Sequence, residues 1–189
     1  MTSSRRKRLP ALLVAAAALA LGTGTAQTAH AAPAGITAEG PYVIWNYVTQ
    51  KCVDLPGGGG GVLDGPVNQY DCNATSNDNQ LFYLDDSNGD GDYTIRNAKD
   101  NLCLDVPNYG PVFAGTKVSE YPCNETNGDN QLYYFVYEAA WDSYLIVNRA
   151  SRLCLDVDGV RIGGNNARLT LYFCKSDPAV DDHLWRLYR

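Results

Sequence analysis

Six cysteines placed at one fixed period constrain this chain more than any other feature. Cys52, Cys103 and Cys154 stand 51 residues apart, as do Cys72, Cys123 and Cys174, and 20 residues separate the members of each pair. A period of this size marks a supersecondary unit that has been copied and packed against its copies. Other residues keep the same register: Tyr42, Tyr93 and Tyr144; Ile44, Ile95 and Ile146; Asn46, Asn97 and Asn148; Asp54, Asp105 and Asp156; Tyr70, Tyr121 and Tyr172. Flanking sites stay apolar, as at Val53, Leu104 and Leu155, at Leu55, Val106 and Val157, and at Val67, Val118 and Leu169.

The register divides the chain into three units, 40–90, 91–141 and 142–189. Apolar residues alternate in runs such as Tyr42-Val43-Ile44-Trp45-Asn46, with turn formers between the runs. That is short-strand patterning, and no long amphipathic helix pattern interrupts it. The first unit reads as four strands near 41–48, 51–55, 67–71 and 80–84, giving about twelve in an all-β chain closed around a pseudo-threefold axis. A unit this small cannot bury a core alone, so the three must share one. Among the possible cysteine pairings, the repeat favours Cys52–Cys72, Cys103–Cys123 and Cys154–Cys174, because a cross-unit scheme would need an equivalent partner for every copy. Each such bridge closes a loop worth about 3 kcal/mol of chain entropy. C-x-x-C spacing is missing, which argues against zinc.

The N-terminal segment reads differently. Arg5, Arg6, Lys7 and Arg8 precede an apolar run, Ala11 to Leu21, too short to span a bilayer. Ala29-His30-Ala31 then offers a small-residue cleavage site. Residues 1–31 are expected to be a secretory signal peptide and 32–39 a linker to a domain at 40–189. Removing residues 1–31 takes away four positive charges and lowers the net charge from −6 to −10. An acidic chain repels phosphate backbones and anionic lipid, which excludes nucleic acid and membrane insertion and suits neutral glycans or polysaccharides. Export also accounts for the cysteines, since disulfides persist in oxidising compartments.

Each unit closes on a second signature: Asn79-Gln80-Leu81-Phe82, then Asn130-Gln131-Leu132-Tyr133, then Asp182-His183-Leu184-Trp185, the last one residue later relative to its cysteine. Together with C-x-D and the tyrosine before the second cysteine, this resembles the ricin-type lectin repeat, with its C-[LV]-D-[LV] and Q-x-W elements. The resemblance spans nearly all of 40–189. It implies a β-trefoil of lobes α, β and γ, with one shallow sugar pocket per lobe. The family's aspartate accepts sugar hydroxyls, its aromatic residue stacks on the sugar ring, and the residue before the glutamine bonds another hydroxyl. The matching residues are Asp54, Tyr70 and Asn79; Asp105, Tyr121 and Asn130; and Asp156, Tyr172 and Asp182. Asn68, Ser119 and Thr170 could add polar contacts. Gln80 and Gln131 would brace the pockets, and Phe82 and Tyr133 would pack in the core. Lobe γ departs most, and the five glycines Gly57 to Gly61 cost lobe α ordering entropy, so the lobes rank β, α, γ. A carboxylate bonding neighbouring hydroxyls, and a ring covering the C–H face, are sound physics for such a site.

Competing readings are specific. The recurring aspartates could serve turns alone. Tyr42, Ile44 and Asn46 read as core and turn chemistry. Catalysis finds little support: His183 is the one histidine after residue 31, and the repeated aspartates sit on separate lobes, too far apart for paired-carboxylate hydrolysis. No cofactor and no metal are expected. Asp86 to Asp92 matches the start of a calcium loop, but Asn97 stands where its closing glutamate belongs. The alternative function is a protein-binding trefoil, such as a protease inhibitor or a toxin-associated subunit, using loop 56–66 or 107–116.

Overall fold

The computed structural model describes residues 40–189, apart from positions 74, 76, 77, 87, 88, 125, 127 and 162. The expected signal peptide and linker lie outside the described residues. Thirteen strands form: β1 Tyr42–Asn46, β2 Cys52–Asp54, β3 Asn68–Tyr70, β4 Leu81–Asp85, β5 Thr94–Asn97, β6 Leu102–Asp105, β7 Thr116–Lys117, β8 Ser119–Pro122, β9 Tyr133–Glu138, β10 Ser143–Asn148, β11 Cys154–Val157, β12 Leu169–Tyr172 and β13 Trp185–Tyr188.

Six of them close a barrel. β1 pairs with β4, β4 with β5, β9 with β10, β10 with β13, and β13 with β1, all antiparallel. A bridge between Tyr93 and Tyr133 joins β5 to β9 and completes the ring, leaving no open edge there. The remaining strands make three hairpins, β2–β3, β6–β8 and β11–β12. This is the β-trefoil that the ricin-type resemblance implied. β7 is the strand beyond the expected twelve. It is the place where lobe β crosses to lobe γ, with Lys117 opposite Thr170. The same crossing is a single bridge elsewhere, Pro66 to Ser119 and Arg168 to Asn68.

The lobes meet on the axis through backbone. Val67 N–H donates to the Val118 carbonyl, Val118 N–H to Leu169, and Leu169 N–H back to Val67, at 3.4, 2.9 and 2.9 Å. Ile44, Ile95 and Ile146, together with the Q-x-W aromatics Phe82, Tyr133 and Trp185, are all fully buried in the core. Burial of each such side chain contributes about 1.5–3 kcal/mol. The repeated asparagines stitch each lobe to the one before it. Asn46 Nδ2 donates to the Asp182 carbonyl, Asn97 to Asn79 and Asn148 to Asn130, at 2.6, 2.7 and 2.6 Å. The disulfides are the three intra-unit bridges favoured by the repeat.

Candidate functional site

Each lobe carries one pocket beside its hairpin, and the three pockets draw on the same seven positions of the repeat. Their volumes are about 390 Å³ in lobe α, 420 Å³ in lobe β and 270 Å³ in lobe γ. The floor is the C-x-D aspartate: Asp54, Asp105 and Asp156 are only 5–7% exposed. The wall is the tyrosine at the end of the facing strand, Tyr70, Tyr121 or Tyr172, with 38–43% of its surface open to solvent. Antiparallel pairing sets these partners together, since Cys52 lies opposite Tyr70, Cys103 opposite Tyr121 and Cys154 opposite Tyr172. A second acid, Asp78, Asp129 or Asp181, completes the polar side.

The next positions differ between lobes. Gly57, Asn108 and Gly159 turn the chain in the left-handed region, with φ of 85°, 71° and 93°. Their neighbours give Gly58 to pocket α, a second ring, Tyr109, to pocket β, and Val160 to pocket γ. Asn73, Asn124 and Lys175 follow the second cysteine. The seventh position comes from the neighbouring lobe: Asn166, Asp64 and Gly115 line pockets α, β and γ respectively.

Gln80 braces pocket α as expected. Its Nε2 donates to Asp54 Oδ1 and to the Asp71 carbonyl, each at 3.0 Å, while its Oε1 accepts the Asn73 N–H at 2.9 Å. Gln131 repeats this in lobe β, accepting from Asn124 N–H at 2.7 Å and donating to the Pro122 carbonyl at 3.2 Å. Burial pushes the Asp54 and Asp105 carboxyls up to about 6, against the lowering effect of Gln80 and Gln131.

The third predicted contact needs correction. Asn79, Asn130 and Asp182 are at most 1% exposed and do not line the pockets. Asn79 Nδ2 donates to the carbonyls of Leu55, Gly57 and Gly59 at 2.6–2.8 Å. Asn130 Nδ2 donates to those of Asn108 and Gly110 at 2.8 and 3.1 Å. Asp182 Oδ2 accepts the Arg161 N–H at 3.1 Å. All three hold the loop after the C-x-D strand from behind, because that loop turns its polar backbone inward and needs a buried partner. The acid one residue earlier faces the pocket instead. Its signal was in the sequence, since Asp78 and Asp129 are in register and Asp181 is offset only by the insertion. Of the extra polar candidates, Thr170 lines its pocket and donates to Asp156 Oδ2 at 3.0 Å. Asn68 and Ser119 are buried away from theirs.

Lobe γ is built differently at its base. His183 is fully buried and, among the described residues, neither ring nitrogen makes a hydrogen bond. Nε2 lies 3.6 Å from Asp156 Oδ1 and Nδ1 lies 3.4 Å from Asp181 Oδ1. Burial, with the Asp182 carboxyl beside it, pushes Asp156 well up, and burial holds the His183 imidazole down to about 4. Asp156, Asp181 and His183 could each offer one atom to a metal within 4.8 Å of the others. The ring, however, turns a different nitrogen to each carboxylate, and Lys175 Nζ already holds Asp181 Oδ2 at 2.8 Å. At the calcium-like string, the Asp86 carboxylate accepts the N–H groups of Gly89, Asp90 and Gly91, which is turn chemistry.

The fold matches several solved structures. A designed threefold-symmetric protein, ThreeFoil, superposes with a TM-score of 0.68 at 24% identity, over 80% of this chain and 99% of that one. The Rhizoctonia solani agglutinin gives 0.66 at 18%, over 82% and 98%. The Macrolepiota procera ricin B-like lectin, solved in complex with lactose, gives 0.65 at 15%, over 82% and 98%. No curated protein matches this chain in sequence. A model of the ricin-type beta-trefoil lectin domain-like family matches residues 34–119 and 78–172. The chain belongs to the ricin-type β-trefoil lectin-like family.

Proposed function

We propose that this is a secreted, non-catalytic carbohydrate-binding protein with up to three sugar pockets. The observation that carries the reading is the repeated pairing of a buried carboxylate with a half-open tyrosine ring, flanked by a second acid, at equivalent points of three lobes. The carboxylate accepts two neighbouring hydroxyls through charge-assisted bonds, and the ring covers the apolar face of the sugar. The lectin solved with lactose supports a sugar as ligand. Pocket β, the largest and the one with two tyrosines, would bind best, followed by α and then γ. Single shallow sites bind weakly, so the three would act together on a repetitive polysaccharide. The N-terminal leader pattern and the three disulfides support export.

Glycan arrays and insoluble-polysaccharide pull-downs test this. Wild-type protein should be retained, and Asp105→Ala with Tyr121→Ala should lose most of that retention. Silence of the wild type on every glycan would defeat the reading. The protein-binding alternative would then come forward, with Phe113, 90% exposed on loop 107–116, as its contact.

A further inference from the structure

The pocket position supplied across the lobe boundary has the same anchoring in all three lobes. Residues 64, 115 and 166 are 51 apart. Asp64 N–H donates to the Glu120 carbonyl at 2.8 Å, Gly115 N–H to Leu171 at 2.8 Å, and Asn166 N–H to Gln69 at 2.9 Å. Each acceptor immediately precedes a pocket tyrosine, so the crossing residue is pinned beside the ring of its neighbour's pocket. All three adopt left-handed backbone, with φ of 57°, 87° and 66°. That conformation favours glycine, asparagine and aspartate. At this position the chain uses no side chain, an amide and a carboxylate once each.

Resting on the carbohydrate reading, we propose that this crossing residue determines the selectivity of each pocket, and that Asp64 makes pocket β select sugars bearing an ammonium group. Pocket β is then faced by Asp64, Asp105 and Asp129, with no lysine or arginine in its lining. Pocket α has two acids and the neutral Asn166. In pocket γ the crossing position is Gly115, which adds nothing, and Lys175 offsets the acids. An amino sugar presents a ring for Tyr121 and a charge for Asp64. The acetylated form of the same sugar keeps the ring and loses the charge, so the pair isolates the contribution of the crossing residue.

Pocket-by-pocket NMR tests the proposal, with Tyr70, Tyr121 and Tyr172 as reporters in the intact protein. The probes are a glucosamine trisaccharide with free amines, its fully N-acetylated counterpart, and lactose, all at the same mildly acidic pH. At Tyr121 the free-amine form should bind about three- to fivefold tighter than the acetylated form, the size expected of one half-screened charge pair. Asp64→Asn should bring that ratio down to the value at Tyr70, and Asn166→Asp should raise the ratio at Tyr70. Both substitutions suit left-handed backbone, and an unchanged melting temperature verifies the fold. An unaltered ratio at Tyr121 in Asp64→Asn overturns the proposal while leaving the carbohydrate reading intact. So does a Tyr121 that answers lactose alone. If no tyrosine responds to any of the sugars, the proposal and the reading it rests on both fall.

Discussion

Glu120 occupies in lobe β the place that Gln69 occupies in lobe α, and the swap of amide for carboxyl leaves a buried acid at the seam between lobes. Gln69 Nε2 donates to the Gly164 carbonyl at 3.0 Å and its Oε1 accepts the Thr49 hydroxyl at 2.6 Å. Glu120 is fully buried and, among the described residues, neither carboxyl oxygen has a hydrogen-bond partner. Its neighbour at the Thr49 position is Asp100, whose carboxylate holds the Gly61 N–H at 2.5 Å. A Cβ at Gly61 would overlap the Glu120 carboxyl, so a larger residue there would have to displace it.

Burial, with Asp100 adding to it, pushes Glu120 up to about 8 from 4.5. A folded-state value above the unfolded one means that the stabilisation is complete below about pH 4.5 and is lost as pH rises through 8. Glu120→Gln removes that loss. The variant should be more stable than wild type above pH 8, on the order of 2–4 kcal/mol, and close to it at pH 4.5. Urea melts across that range check it. Equal gains at both pH values would show that charge is not the cause.

Sugar binding and stability should move in opposite directions with pH at pockets α and β. Asp54 and Asp105 titrate at about 6, raised from 3.8 mainly by burial. Below that value each loses the charge that holds two hydroxyls, so affinity should drop about tenfold between pH 7 and pH 5. Their contribution to stability is present below about 3.8 and disappears as pH rises through 6, because ionising a buried acid costs free energy in the fold. Calorimetric titration with a glycan ligand, alongside thermal melts of wild type and Asp105→Asn, resolves the two trends.

Asp129 and Asn130 should separate cleanly under substitution. Asp129→Asn is expected to weaken glycan binding at pocket β several-fold with little change in melting temperature, since the side chain faces the pocket. Asn130→Ala removes both hydrogen bonds that Nδ2 donates to the 108–110 loop and should cost about 1–3 kcal/mol. Melting curves paired with affinity measurements check this. A stable Asn130→Ala with abolished binding would return that residue to the pocket.

Replacing Cys103 and Cys123 together by alanine should destabilise the protein by about 3 kcal/mol, since the bridge closes a 20-residue separation. Pocket β should loosen more than α or γ, because Cys123 lies in its lining and Tyr121 is two residues away. Residue-resolved hydrogen exchange measures the difference between lobes.

The fixed period of Cys52, Cys103 and Cys154 carried the threefold architecture and the three bridges, because repeated local chemistry must occupy equivalent sites, and the resemblance to the ricin-type repeat added the trefoil and the acid–tyrosine pairing of each pocket. It also carried the core aromatics, since Phe82, Tyr133 and Trp185 can swap as long as they fill volume. It did not reveal which of two adjacent polar residues, Asp129 or Asn130, faces outward. That depends on the backbone carbonyls of the 108–110 loop, which attract an amide donor inward and leave the acid to the pocket. Nor could it join Asp64 to a pocket in another lobe. Position 64 is in register with 115 and 166, but only the crossing of backbone hydrogen bonds at the lobe boundary brings each beside its neighbour's tyrosine. Periodicity reports what each unit repeats, whereas contacts between units depend on how the three close around their axis.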